Sequence, residues 1–308
     1  MSARDGVAMG VQVAGLVLAP LLPGGIQAAK ARLQGRRGPG VLQPYREMRR
    51  LWRRGSVEPE GSGPVYRYTP ILVAAAMSVC ILVTPVAPWG TGWPAGNDAL
   101  LVVGLLALAR VAIALSAWDT GGGFGLMGAA RDLTFAIVGE SLIVLVVLLA
   151  AVPAGGTDLR VMWEAASGEG IWAEPAHWCG ALAMGLVVLL ETGRQPIDNP
   201  DTHLELTMIH EGPLLEYAGR DLALLTWASA ARHWVVLVLA AGLFLPHPAG
   251  LAPGLAVLAG SLVLLVVALA VVETSQAKMR LLRVSPTLFA GVVVALIGVA
   301  SAAAGAHL

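Results

Sequence analysis

Between Glu191 and Gly219 the chain reads ETGRQPIDNPDTHLELTMIHEGPLLEYAG, a charged interruption in an otherwise apolar sequence. Its carboxylates are Glu191, Asp198, Asp201, Glu205, Glu211 and Glu216; His203 and His210 lie among them, and Arg194 and Arg220 stand near the two ends. Carboxylates crowded into a low-dielectric site repel one another, so they cannot all be ionised; their titrations couple and protons are shared. Neighbouring arginines hold some of them ionised, and imidazoles that titrate near neutrality bridge the gaps. That is the chemistry of a proton relay. Pro196 and Pro200 forbid a continuous helix at the start of the segment. From Asp201 the spacing turns helical, with Asp201 and Glu205 one turn apart and His203 and His210 on a shared face. Two other readings compete. A metal site from His203, His210 and Glu211 lacks the tight spacing of zinc-binding helices, so no metal is expected. A solvated acidic face conflicts with Leu204, Leu206, Met208, Ile209, Leu214 and Leu215, too many apolar residues for a fully wet loop.

Three further ionisable residues, Arg110, Glu140 and Arg232, fall inside apolar runs. At a rise of about 1.5 Å per residue, Glu140 stands roughly 13 Å above Arg131, Arg110 roughly 12 Å above Trp118 and Arg232 roughly 16 Å above Asp221. All three therefore reach a similar depth. A charge at the middle of a membrane costs about 3 kcal/mol on insertion scales, and such residues pair or line a wet path. The spacing fits either a static Arg–Glu packing pair or a proton path through Glu140.

The elements that must position these groups are apolar spans. The chain has 308 residues, of which 56% are hydrophobic and only 13% charged, with a mean hydropathy of +0.73; a soluble domain carries roughly a quarter charged residues. Eight stretches have the length of a membrane-crossing helix: Val7–Ala28, Thr69–Val86, Ala99–Ala117, Leu133–Val152, Ala173–Leu190, Leu222–Leu245, Leu255–Val272 and Pro286–Ala304. The first is too long, and lacks the small-residue cleavage site, for a signal peptide. With 37 glycines and 19 prolines in or beside the spans, close helix packing and local kinks are expected. The expectation is an all-α polytopic membrane protein, one transmembrane domain over 1–308, with a large basic inner loop at 30–67 and an acidic inner loop at 191–221.

Lys and Arg set its orientation. Lys30, Arg32, Arg36, Arg37, Arg46, Arg49, Arg50, Arg53, Arg54 and Arg67 occupy the loop after the first span. With that loop inside, alternation through eight spans also places Arg131, Arg194, Arg220, Lys278, Arg280 and Arg283 inside, which accounts for sixteen of the 20 cations. Only Arg4 and Arg160 fall outside, so both termini are expected outside. In the basic loop, Gly38-Pro39-Gly40 turns the chain and Pro44 opens a short helix. Leu42, Tyr45, Met48, Leu51 and Trp52 recur there at helical spacing with arginines on the other faces, the pattern of a helix lying on the membrane surface. It serves as an anionic-lipid anchor, as a basic collar for a soluble partner, or as both. Cys80 and Cys179 stand far apart in apolar runs, so no iron–sulfur ligand set is present and both read as buried small residues. The outer loop from Pro153 to Trp172 has room for one short helix.

Three blocks resemble a known family: RLQGRRGPGVLQPY at Arg32–Tyr45, DTGGGFGLMGAARDLTFAIVGE at Asp119–Glu140, and ETGRQPIDNPDTHLELTMIHE followed by LEYAGRDLAL. They resemble the membrane subunit of energy-converting nickel–iron (NiFe) hydrogenases and formate hydrogenlyases, which is similar to NADH dehydrogenase subunit 1 of respiratory complex I. The resemblance implies a proton-coupling membrane anchor with no redox cofactor of its own, in the cytoplasmic membrane. It implies soluble hydrogenase-like large and small subunits that carry iron–sulfur clusters and the NiFe centre, docked through Arg36, Arg37, Gly38, Pro39, Gln43 and Pro44. Antiporter-like membrane subunits and the lipid bilayer are the other implied partners, with no nucleic acid. By the same resemblance Arg131 and Glu140 match an arginine and a buried glutamate of the fourth span. Glu191, Arg194, Pro196, Asp198, Pro200, Glu205, Glu216 and Tyr217 match the family pattern in order. His203 and Asp201 stand where complex I has glutamates, and Leu206–Tyr217 is longer, which marks the hydrogenase branch. A quinone-site subunit of a complex I-type enzyme is the alternative reading and a stand-alone ion transporter a second. A b-type cytochrome anchor needs facing histidines at one depth, and only His233 lies well inside a span.

Overall fold

One helix organises the others because its second half is buried on every side. From Ala230 to Phe244 each residue of α9 (Gly219–Phe244) is buried, as an element at the centre of a bundle must be. The computed structural model describes residues 3–86, 97–168, 170–198, 209–248 and 250–305. Around α9 stand α1 (Ala3–Leu18), α2 (Leu21–Leu33), α3 (Gln43–Trp52), α4 (Pro64–Val83), α5 (Ala99–Thr120), α6 (Gly123–Ala154), α7 (Leu159–Ala166), α8 (Pro175–Glu191), α10 (Leu251–Ser275) and α11 (Leu281–Gly305). No strand occurs among the described residues. Helices α4 and α8 pack directly on α9, α5 and α6 complete that side, α11 leans on α6 and α8, and α10 leans on α2. The outermost pair carry wide exposed apolar faces, among them Val263 and Leu264 on α10 and Phe289 and Ile297 on α11.

Each of the eight expected spans coincides with a helix or a helix pair, but they are not alike. Among the described residues, six helices are long and apolar enough to cross a membrane, and a seventh span results if α1 and α2 are taken together. That pair bends by 53° at Pro20, whose ring cannot continue the hydrogen-bond ladder. The fifth expected span, α8, has only 17 residues, about 25 Å at the usual rise. The expected surface helix is α3, with Pro44 in its first turn. Its apolar residues divide: Leu51 packs inward, while Leu42 and Trp52 remain exposed. Tyr45 donates its hydroxyl to the Val17 carbonyl and ties α3 to α1. Gly38, in the basic loop, rests on Ala31 so closely that any side chain there would collide with it.

The outer loop holds α7 and a 3-10 turn at Ile171–Ala173. Asp158 caps α7 and Asp98 caps α5, and the two segments join through Ala99 N to Thr157 O (2.9 Å) and Leu159 N to Asn97 O (2.8 Å). Helix α7 plugs the outer end of the bundle with the fully buried indole of Trp163, stacked on His247. Cys80 is buried as expected, but Cys179 is only half-buried, at the edge of the contact of α8 with Gly298 of α11.

The Trp163 indole lies against Gly242 of α9, where it leaves no room for a Cβ atom. Gly242→Val should therefore force the indole out and lower stability by about 1–3 kcal/mol, the usual range for overpacking. Thermal unfolding of the detergent-solubilised protein checks this, and an unchanged midpoint would show that α7 does not depend on the contact.

Candidate functional site

The short helix α8 ends before its polar residues can leave the bundle. Its last residue, Glu191, is 4% exposed and lies between two guanidinium groups. Arg110 of α5 donates from Nη2 to Glu191 Oε1 at 2.5 Å, and Arg232 of α9 donates from Nη1 to Oε2 at 3.1 Å. Arg110 also faces Glu140 Oε1 of α6 at 3.4 Å and Asp132 Oδ1 at 3.7 Å. A guanidinium offers five donors in a plane, which is how one side chain serves three carboxylates. Arg232 satisfies a further N–H on the Leu106 carbonyl.

Beyond Glu191 the chain turns at Gly193, whose φ of +60° suits glycine, and folds back under the bundle. Arg194 and Asp198, both buried, anchor two further clusters. Arg194 Nη1 pairs with Glu273 Oε1 of α10 at 3.2 Å, and Lys30 of α2 meets the other oxygen of Glu273 at 3.4 Å. The guanidinium also lies 3.4 Å from His233 Nε2. Asp198 accepts from Lys278 Nζ at 3.0 Å and from the N–H groups of Ile209 and His210 at 3.2 Å, and its Oδ2 lies 3.3 Å from His210 Nδ1. Burial opposes the charge on Asp198, but the contacts with His210 and Lys278 win and hold its carboxyl well below the usual aspartate range. A lowered value means that its contribution to stability is complete above the ordinary aspartate pKa. That contribution is lost as the pH falls through the lowered one.

These groups wall a cavity of about 370 Å³ under the bundle. Gln43 and Pro44 of the expected docking set line it together with Arg194, Asp198, His210 and Glu211. A smaller cavity of about 70 Å³ reaches Arg110, Glu191 and Arg232 and shares Thr192, His210 and Ser229 with the larger one. The two cavities together border residues from Gln43 and Pro44 of the basic loop to Arg110, Glu191 and Arg232 of the ion-paired core.

The structure brings together most of the residues singled out from sequence, with corrections. Arg110, Glu140 and Arg232 do meet at one depth, but Glu191, expected in the inner connection, reaches the same place and is the better-buried partner. Glu140 keeps a side-chain exposure of 37%. His210 sits in a bend followed by a 3-10 turn at Gly212–Leu214, not on a continuing helix, because Asp198 captures its backbone N–H and Pro213 follows. Glu216 turns away toward Gly122 at the α5–α6 junction. Arg220 is exposed, and Arg131 is half-buried while its neighbour Asp132 faces the core. Arg36, Arg37, Gly38 and Pro39 are exposed. Asp201, His203 and Glu205 lie outside the described residues. Asp132, Glu273, Lys30 and Lys278 were missed as site residues. Asp132 shares a face with Phe135, Ala136 and Gly139, a helical phase readable in the sequence; Glu273 just follows an apolar run and reads as the end of a span.

A bundle of apolar helices with guanidinium–carboxylate pairs buried across three of them defines a multi-pass helical membrane protein. The family assignment narrows this: the chain belongs to the NADH dehydrogenase family, which matches residues 7–303. It is 33% identical over 280 residues to formate hydrogenlyase subunit 4 of Escherichia coli (strain K12), covering 86% of this chain and 87% of that protein. It is 35% identical over 249 residues to hydrogenase-4 component C of the same organism (80% and 78%). It is 30% identical over 223 residues to NADH-ubiquinone oxidoreductase chain 1 of Thymallus arcticus (69% and 66%). The fold is similar to a chain in the structure of the membrane-bound sulfane sulfur reductase, an archaeal respiratory membrane complex. That match has a TM-score of 0.82 at 21% identity and covers 97% of this chain and 98% of the other.

Removing one partner of a buried ion pair leaves an uncompensated charge, at a cost of about 3–5 kcal/mol. Arg110→Leu should show a loss of that size in chemical or thermal unfolding in detergent. Arg67→Ala breaks an exposed pair with Glu58 and should cost under about 1 kcal/mol. Equal losses in the two variants would mean that the Arg110 cluster adds nothing beyond a surface pair.

Proposed function

We propose that the chain is the integral membrane subunit of a multisubunit redox complex of the hydrogenase or formate hydrogenlyase type. In this reading it carries no redox centre. It anchors soluble large and small subunits that hold the iron–sulfur clusters and the NiFe centre, sits beside antiporter-like membrane subunits, and couples their electron transfer to movement of H⁺ or Na⁺. The membrane is the cytoplasmic membrane, with the basic loop on the cytoplasmic side.

The observation that carries the reading is the position of Glu191. It is held between Arg110 and Arg232 on the wall of a cavity that shares Thr192, His210 and Ser229 with a larger one bordered by Gln43 and Pro44. A redox event in a subunit seated on the basic loop changes the charge beside Gln43 and Pro44. The Asp198–His210 pair stands between that loop and Arg110, so a charge moved along it alters the field on Arg110 in a medium of low dielectric. The names of the relatives, formate hydrogenlyase subunit 4 and hydrogenase-4 component C, support this choice over a quinone-site subunit, which rests on the more distant NADH-ubiquinone oxidoreductase chain 1.

Purification from membranes in mild detergent should bring down companion subunits that bear iron–sulfur clusters. In the purified complex returned to vesicles, Glu140→Gln and Asp198→Asn should leave assembly and redox turnover measurable. The ions moved per electron should fall by on the order of 10²-fold, the usual scale for a lost proton-transfer group. Glu164→Gln, on the exposed side of α7, should change nothing. A chain that purifies alone and still moves ions at full rate would point to a stand-alone transporter.

A further inference from the structure

Two guanidinium groups, Arg110 and Arg232, serve three carboxylates in the core, Asp132, Glu140 and Glu191. Arg110 touches all three, so the charge count there is one negative too many. Of the three, Asp132 is the one within 4 Å of the His210 imidazole among the described residues, and so faces the loop below. His210 Nδ1 lies 3.3 Å from Asp198 Oδ2, and its Nε2 lies 3.8 Å from Asp132 Oδ1. The ring therefore stands between a carboxylate of the cavity wall and a carboxylate of the ion-paired core. Its Nε2 is buried and makes no hydrogen bond among the described residues.

We propose that Asp132 is a proton-carrying residue of the path and that His210 loads and unloads it; the inference rests on the coupling role proposed above. The ring is fixed at one end and loose at the other. At the Asp198 end, two backbone N–H groups and the imidazole converge on one carboxylate oxygen. At the Asp132 end, the 3.8 Å separation exceeds a normal N–H···O bond of about 2.9 Å by roughly 1 Å. A small advance of the loop closes that gap. Two glycines let the loop lie this close. A Cβ on Gly128 of α6, one turn before Asp132, would stand 2.8 Å from the Gly212 Cα, and a Cβ on Gly193 would stand 3.1 Å from His210 Nδ1.

The step balances as a proton transfer. A proton from the cavity bonds to His210 Nδ1, the Nε2–H bond breaks, and an O–H bond forms at Asp132 Oδ1. The products are a neutral imidazole and a neutral carboxylic acid. Arg110 then loses one of its three carboxylate partners and is left with Glu140 and Glu191 against two guanidiniums, a balanced count. Return of the proton to His210 restores the third. Asp132 thus converts proton arrival at the cavity into a change in what holds Arg110.

The test uses the whole complex in vesicles and reads redox turnover and ions moved per electron for Asp132→Asn, Asp132→Glu, His210→Asn and the double variant Asp132→Asn/His210→Asn. Asp132→Asn should keep turnover and lose coupling by about tenfold or more. Asp132→Glu should recover most of it, because the acid returns at nearly the same place. The double variant should be no worse than the more severe single one, since the two residues act in series. If Asp132→Asn does not assemble, His210→Asn supplies the same readout. Normal coupling in Asp132→Asn or in His210→Asn, alongside a coupling defect in Glu140→Gln, overturns the inference and leaves the general reading standing. Normal coupling in Glu140→Gln and in these variants alike removes the coupling reading, and this inference with it.

Discussion

Glu191 between Arg110 and Arg232 is the interaction on which the arrangement depends. Three helices that are otherwise apolar each carry one charge into the bundle, and none of those charges is tolerable alone at that depth. Held at 2.5 Å and 3.1 Å, they fix α5, α8 and α9 in register with one another. Apolar packing between membrane helices does not do this well, because lipid tails compete for the same surfaces. The ion pair supplies position where hydrophobic burial supplies little.

A second consequence follows from the length of α8. It stops at Glu191, and the polar chain after it does not continue the helix out of the bundle. Instead the segment from Thr192 to Asp198 runs under the bundle, where irregular backbone survives only if protein groups satisfy it or it lines a cavity. Both conditions hold. Met279 donates its N–H to the Pro196 carbonyl at 2.9 Å, Lys278 and the Ile209–His210 backbone converge on Asp198, and the remaining side lines the polar space. The α10–α11 connection therefore serves as the floor of the site.

Glu273 plays the corresponding part on the other wall. It joins Lys30 of the bent first span to Arg194 of the loop, so the helix leading into the basic loop and the cavity wall share one buried carboxylate. Displacing the root of the basic loop would disturb the hydrogen-bonded neighbourhood of His233 and Arg194. The basic loop and the buried charges are one connected structure, which is the physical requirement for any coupling between them.

Hydropathy, cation asymmetry and the helical spacing of Leu42–Trp52 are local properties, and the sequence alone determined what depends on them: the spans, the surface helix, the charged segment and the shared depth of Arg110, Glu140 and Arg232. Which charges meet was not legible, because partner choice depends on helix rotation and on where each helix stops. Asp132 and Arg131 are adjacent in sequence, and only the packing of α6 decides that Asp132 faces Arg110. His210 reads as part of a relay helix until Asp198 captures its backbone N–H and the chain bends. Glu273 and Lys30 look like the polar ends of two spans until α2 and α10 come together and bury both. A one-dimensional pattern fixes the depth and face of each charge, but ion pairs form in three dimensions, and only tertiary structure decided that Glu191 joins the core.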